Sequence, residues 1–180
     1  MVAPRLAAAV DGLAPAALSG EAFRHVAVNR HPLSGAGARS LGGRWNPRES
    51  FATLYLALER ETVVREFFRL ARRMGLAPED FLPRRFYRYS FELSGLLDLR
   101  EAEARAAVGL SERSIASDDL GPCQAVGEAA HYLGREGVVA PSATCAGTVL
   151  AVFFDRLTAG SFVHDLDYET WESPPSPPER

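Results

Sequence analysis

A chain of 180 residues is long enough to bury one hydrophobic core without disulfide or metal staples, and it fits a single domain. With 47% hydrophobic and 24% charged residues, the composition argues against both a disordered chain and a membrane-embedded one. The formal net charge of −3 supplies no general attraction to nucleic acid, so direct nucleic-acid binding is not expected.

In chain order, Met1 to Gly20 is rich in alanine, but Asp11 and Pro15 interrupt its apolar stretch and little positive charge precedes it. That pattern is a helix followed by a loop, an extension over residues 1–21, and not a signal peptide. No run approaches the roughly 20 apolar residues needed to span a bilayer. Cys123 and Cys145 match no zinc or redox spacing, and a reducing cytoplasm is the expected location.

Residues 22–28 alternate as a strand, with Phe23, His25 and Ala27 on one face and Arg24, Val26 and Val28 on the other. From Asn29 to Gly43 the chain holds Pro32, Gly35, Gly37, Gly42 and Gly43, which predicts an irregular loop ending at Arg44-Trp45-Asn46. Phe51 to Ala57 suits a buried strand. Glu59 to Met74 places Val63, Val64, Phe67, Leu70, Ala71 and Met74 at helical spacing, so this helix packs on that strand.

Phe86 to Leu93 reads as a strand, Leu97 to Leu99 as a short one, and Arg100 to Val108 as a helix. Ser111 to Leu120 is polar and reads as a mobile loop or a partner surface, with Asp118 and Asp119 in a solvated turn. A helix covers Cys123 to Arg135, a brief strand Gly137 to Ala140 stops at Pro141-Ser142, and Thr148 to Phe154 and Ser161 to Asp167 are the last strands. The Pro-rich segment 169–180 is a flexible tail. Strands and helices mix without strict alternation, so the fold class is α+β, with the working domain at residues 22–168.

Gly42-Gly43-Arg44-Trp45-Asn46 puts a guanidinium after two permissive backbone positions, a setting in which a phosphate can approach the chain closely. The plainer alternative is a tight turn anchored by Trp45, with Arg44 solvated. Glu59, Glu61 and Glu66 accompany the helix after Tyr55. At about 100° per residue, Glu59 and Glu66 fall on one border of its apolar stripe and Glu61 on the other, so helical phase leaves Glu59 and Glu66 undivided. Ser142 ends an apolar strand after a proline, where it is either a turn former or an active-site hydroxyl. No Gly-x-Ser-x-Gly elbow surrounds it, which argues against a hydrolase triad. His25, His31, His131 and His164 are scattered, and no metal is expected.

Together, Phe23-Arg24, Gly42-Gly43-Arg44-Trp45-Asn46, Tyr55-Leu56-Ala57, Glu66, and Gly137-Val138-Val139-Ala140-Pro141-Ser142 resemble the RES domain family over roughly residues 22–155. The resemblance implies a fold like that of ADP-ribosyltransferases, with mixed sheets and flanking helices. It also implies a toxin of a toxin–antitoxin pair that depletes NAD+ by cleaving the nicotinamide–ribose bond, as a glycohydrolase or a phosphorylase. Carried over by position, Arg24 and Arg44 hold the dinucleotide's phosphates, Tyr55 lies against the nicotinamide end, Glu66 acts at the ribose and Ser142 hydrogen-bonds the substrate. His25 stands where some relatives carry an aromatic residue and lines the same pocket. NAD+ is then the substrate, inorganic phosphate a candidate co-substrate, and no cofactor is required. The implied partner is a helix-turn-helix antitoxin of the Xre type, in a homo- or hetero-oligomer. Transfer of ADP-ribose to a protein, and a non-catalytic nucleotide- or partner-binding module, are the alternatives.

The chemistry fits these residue types. Breaking the nicotinamide–ribose bond builds oxocarbenium-like charge on the sugar, which a carboxylate stabilises. Planar guanidinium groups give a pyrophosphate paired, charge-assisted hydrogen bonds.

Overall fold

The computed structural model describes residues 2–144 and 147–177, so Cys145 lies outside the described residues. Two long strands, β1 (Ala16–Ala27) and β3 (Arg84–Asp98), run antiparallel from Ala16 opposite Leu96 to Ala27 opposite Arg84. Between them in sequence lies β2 (Leu54–Ala57), which meets β1 where Phe23 faces Ala57. The strand β4 (Gly137–Pro141) runs parallel to the end of β3, and β5 (Thr148–Val152) lies antiparallel between β4 and β2. Because β3 also pairs with β1, these strands close on themselves, while β6 (Phe162–Trp171) is added along the outer edge of β3.

Alternation along each strand sorts side chains between layers. Ala22, Val26, Leu54, Leu56, Tyr89, Phe91, Val139, Leu150 and Val152 meet in one buried cluster. Val138, Ala140 and Ala151 join a second cluster with Cys123, Val126, Ala129 and Ala130 of a helix spanning Gly121–Tyr132. A third cluster packs Val63, Val64 and Phe67 of the helix Arg60–Arg73 against Ala57, Phe86 and Trp171. Burying side chains of this size stabilises the fold by about 1.5–3 kcal/mol each. The result is one α+β domain, a mixed sheet with helices flanking it, as the sequence pattern leads one to expect. No helix of the described residues is long and apolar enough to cross a membrane.

We number the helices α1 (Pro4–Asp11), α2 (Ala36–Leu41), α3 (Arg60–Arg73), α4 (Ala102–Ala107), α5 (Glu112–Ala116) and α6 (Gly121–Tyr132). Several depart from the local sequence signals. The chain from Ala16 to Gly20 is strand and not loop, because its ladder with β3 outweighs the weak strand preference of Ala-Ala-Leu-Ser-Gly. The stretch from Asn29 to Gly43 is not wholly irregular: α2 forms within it and stops at Gly42, whose φ of 76° suits glycine. The two strands read at Phe86–Leu93 and Leu97–Leu99 are one, and β6 continues past Asp167 to Trp171, whose indole is buried in the third cluster.

Residues 111–120 are not a simple mobile loop either. Ser111 caps α5 in a reciprocal box, its Oγ accepting from Ser114 N at 3.2 Å while Ser111 N donates to Ser114 Oγ at 2.7 Å. With Ser in place of the usual Glu or Gln, this box is easily passed over in the sequence.

One buried carboxylate ties the sheet together. Glu136 accepts from Ser94 N at 2.7 Å, Gly95 N at 2.9 Å and Thr158 N at 2.8 Å, and also from the Thr158 hydroxyl. Burial alone raises its pKa, yet the hydrogen bonds prevail, those from Thr158 foremost, and hold it down to about 2. A depressed carboxylate stabilises the fold fully above its unfolded pKa, and that contribution is lost as pH falls from about 4.5 toward 2. Glu136→Gln is therefore expected to lower stability at pH 7 by about 2–4 kcal/mol, read from urea midpoints. The deficit should shrink below pH 4. A pH-independent deficit would show that Glu136 acts by packing alone.

Candidate active site

Gly43 to Asn46 form a tight turn, closed by Gly43 N donating to Asn46 O at 2.9 Å. Three anchors hold it. Trp45 is 1% exposed and lies against α6 at Gly127, where any Cβ would overlap the Trp45 carbonyl. Asn46, fully buried, donates from Nδ2 to Ala38 O at 2.7 Å. Tyr55 of β2 accepts from Trp45 N at 2.8 Å and donates to Asn46 Oδ1 at 2.8 Å, and burial pushes its phenol well above the usual tyrosine range. Gly43 has to be glycine here, since a Cβ would run into the Tyr55 ring. Gln124 of α6 adds a hydrogen bond from Nε2 to Gly43 O at 2.9 Å.

The turn is thus tight and anchored, as the plainer alternative has it, and its anchoring falls to Trp45, Asn46 and Tyr55. Arg44 is half-buried, not merely solvated, and donates from Nη1 to Ser117 O at 2.9 Å. Burial raises the pKa of the neighbouring Cys123 thiol, against the charge of Arg44.

Glu66 lies on the border of α3, and its Oε1 accepts from Ser142 Oγ at 2.9 Å. Ser142 is 2% exposed and is also the turn former, its Oγ accepting from Thr144 N at 3.2 Å while its own N–H donates to Gly147 O at 2.9 Å. The turn-forming hydroxyl is thus the same one that meets Glu66. Glu59 separates from Glu66 by its partners. Its Oε2 accepts from Thr62 Oγ1 at 2.9 Å and from Thr148 N at 2.8 Å, so it clamps the start of β5 to the start of α3. Glu61 is exposed near the helix start.

Arg69, which the sequence does not single out, and Asp118, which it places in a solvated turn, complete the neighbourhood. Arg69, one turn after Glu66, lies 3.8 Å from Glu66 Oε2 and 3.5 Å from Asp118 Oδ1. Asp118 follows Ser117 on the link between α5 and α6, so this link and the looser ion pairs of Arg69 with Asp118 and Glu66 connect Arg44 to Ser142. The i, i+3 spacing of Glu66 and Arg69 was the only signal in the sequence for this pair.

Arg24 and His25 stand apart from that chain. Arg24 donates from Nη1 to the carbonyls of Pro32 and Ser34, each at 3.1 Å, and Tyr89 donates to the same Pro32 oxygen at 2.8 Å. Burial lowers the Arg24 pKa, offset in part by Tyr89. His25 points the other way, into an aromatic cluster with Phe67, Phe81 and Trp171, and accepts from Arg84 Nε at 3.1 Å. Burial, with the charges of Arg84 and Arg24, drives its pKa down to about 3, so the ring is neutral near pH 7. Neither residue shares a hydrogen bond with Arg44, Tyr55, Glu66 or Ser142. Among the described residues no group of three or more His, Cys, Asp or Glu is placed to hold a metal ion.

The RES domain family matches residues 21–172. The chain is 37% identical over 140 residues to a protein of Mycobacterium bovis named NAD(+) phosphorylase MbcT, covering 77% of this chain and 75% of that protein. The same figures hold for the protein of that name in Mycobacterium tuberculosis. Among solved structures, a chain of the Mycobacterium tuberculosis MbcT–MbcA toxin–antitoxin complex superposes with a TM-score of 0.86 at 31% identity, covering 95% of this chain and 94% of that one.

Tyr55→Phe leaves Trp45 N and Asn46 Oδ1 without their buried partner. It is expected to cost about 1–3 kcal/mol, lowering the melting temperature by roughly 3–8 °C. A scanning-calorimetry trace that matches the wild type would mean that the phenol does not hold this turn.

Proposed function

This chain belongs to the RES domain family, and on that footing we propose that it is the toxin of a toxin–antitoxin pair, an enzyme that degrades NAD+ by phosphorolysis of its nicotinamide–ribose bond. The observation that carries the reading is the convergence of Glu66, Ser142 and Arg44 through one run of polar contacts, beside a neutral, fully engaged Tyr55. The names of the relatives favour phosphate over water as the acceptor.

In this reading Arg44 takes the pyrophosphate, exchanging the Ser117 carbonyl for phosphate oxygens in charge-assisted hydrogen bonds. Glu66, held in one orientation by Ser142, faces the ribose and stabilises positive charge as the bond to nicotinamide breaks. Nicotinamide leaves with the bonding electron pair, which neutralises its ring, and a phosphate oxygen forms the new bond to the ribose carbon. Tyr55 borders the nicotinamide end and keeps the Arg44 turn rigid. Arg24 supports the pocket by holding the backbone of Pro32 and Ser34, and contacts substrate if that segment opens. His25, neutral and packed on Phe67, backs α3. The domain, which takes in β1 from Ala16 and β6 as far as Trp171, is similar in architecture to ADP-ribosyltransferases. The partner is an antitoxin of the Xre type, and the toxin–antitoxin complex of the structural neighbour supports pairing with an antitoxin.

Purified protein incubated with NAD+ should release nicotinamide, with phosphate consumed in equal amount. Glu66→Gln or Arg44→Ala should slow NAD+ loss by at least about 10²-fold, the scale of removing one transition-state contact. Ser142→Ala, which frees Glu66 without deleting it, should cost roughly tenfold. Turnover at the wild-type rate in folded Glu66→Gln protein would remove Glu66 from the chemistry. Label from NAD+ appearing on protein, with no small-molecule ADP-ribose product, would point instead to an ADP-ribosyltransferase.

A further inference from the structure

Arg69 is a cation of this neighbourhood to which the proposed function gives no task. Its side chain is only 16% exposed, so its charge is largely removed from water and needs anionic partners. Those it has are distant: Glu66 Oε2 at 3.8 Å and Asp118 Oδ1 at 3.5 Å, both beyond the 2.7–3.2 Å range of a direct N–H···O bond. Asp118 is a weak occupant. Its side chain is 89% exposed on the short link between α5 and α6, and an ion pair with so exposed a carboxylate contributes about 0–1 kcal/mol.

Residues 117 and 118 thus offer a carbonyl oxygen to Arg44 and a carboxylate to Arg69, two oxygens set against two cations. A phosphorolytic enzyme has to bring a phosphate dianion close to the carboxylate that faces the ribose. Like charges oppose that approach unless a cation contacts both anions. Arg69 already borders Glu66, and its planar fork suits two phosphate oxygens.

We propose that Arg69 binds the acceptor phosphate, and that the Asp118 carboxylate fills the phosphate position in the free protein. Phosphate displaces Asp118, pairs with Arg69, and stands beside Glu66 on the side from which the ribose carbon is attacked. One phosphate oxygen donates its pair to that carbon as the carbon–nitrogen bond breaks toward nicotinamide, and the phosphate keeps its proton. This site rests on the phosphorolytic reading for its catalytic meaning, but not for its existence as an anion site.

The test has two arms on the full-length protein. In the first, inorganic phosphate alone is titrated and followed by ³¹P line broadening, without NAD+. In the second, initial rates are measured against phosphate and NAD+ separately. Arg69→Gln is expected to abolish phosphate binding in the first arm and to raise the KM for phosphate at least about tenfold, with the KM for NAD+ moving less than about threefold. Arg69→Lys should recover part of the phosphate affinity. Asp118→Asn, an exposed change that leaves folding intact, should lower the KM for phosphate by about threefold to fivefold, because the competing carboxylate is gone. An unchanged phosphate KM in Arg69→Gln, a loss confined to the KM for NAD+, or weaker phosphate binding in Asp118→Asn would each overturn the proposal. If wild-type nicotinamide release is indifferent to phosphate, phosphorolysis fails, while the ³¹P arm still decides whether Arg69 holds the anion. If Arg69→Gln does not fold, Asp118→Asn decides alone.

Discussion

The hydrogen bond from Ser142 Oγ to Glu66 Oε1 at 2.9 Å links the end of β4 to α3 and fixes the orientation of the carboxylate to which the proposed function gives the chemistry. A glutamate on the border of an amphipathic helix has several rotamers open to it, and freezing them costs free energy. Ser142 meets that cost from a position 2% exposed, where its own geometry is set by Thr144 N and Gly147 O. Glu59, at the start of α3, accepts likewise from Thr148 N and Thr62 Oγ1. Gly147, at φ 76°, is packed so closely on Thr62 and Glu59 that no side chain fits there. Two carboxylates of one helix region therefore hold the two sides of the β4–β5 connection, Glu59 through Thr148 and Glu66 through Ser142.

The proposed chemistry also needs a cation for the pyrophosphate. Arg44 is available for that role because its neighbours anchor the turn: Trp45 is buried against α6, Asn46 donates to a backbone carbonyl, and the Tyr55 phenol closes the turn from the sheet. Pre-set polar groups of this kind act without reorganising during reaction, which is where their catalytic value lies. The α5–α6 link then spans the gap between Arg44 and the helix bearing Glu66, through Ser117 and Asp118. In the proposed mechanism a dinucleotide and a phosphate, which offer the same oxygens with more charge, take over these contacts.

Much of this was legible in the sequence where one physical rule dominates. Strand alternation in β1 correctly sets Arg24 beside buried Ala22 and Val26 and turns His25 to the opposite face. The amphipathic stripe of α3 locates Val63, Val64 and Phe67 in the core. Helical phase, however, leaves Glu59 and Glu66 on the same border, and only the three-dimensional partners, Thr148 for one and Ser142 for the other, separate them. The extent of β1 was hidden because its first residues owe their conformation to β3 and not to their own preferences. Arg69 and Asp118 were hidden for a related reason. They are 49 residues apart by number, and each alone has the pattern of an ordinary solvated charge.

The most direct measurement is a crystal structure of the protein with an NAD+ analogue whose nicotinamide-bearing ribose is carbocyclic and cannot be cleaved. The expected complex has the pyrophosphate on Arg44 in place of the Ser117 carbonyl, and the ribose within hydrogen-bond reach of a Glu66 still held by Ser142. A dinucleotide bound elsewhere, touching neither Glu66 nor Arg44, would contradict the assignment of this cleft as the site of NAD+ cleavage.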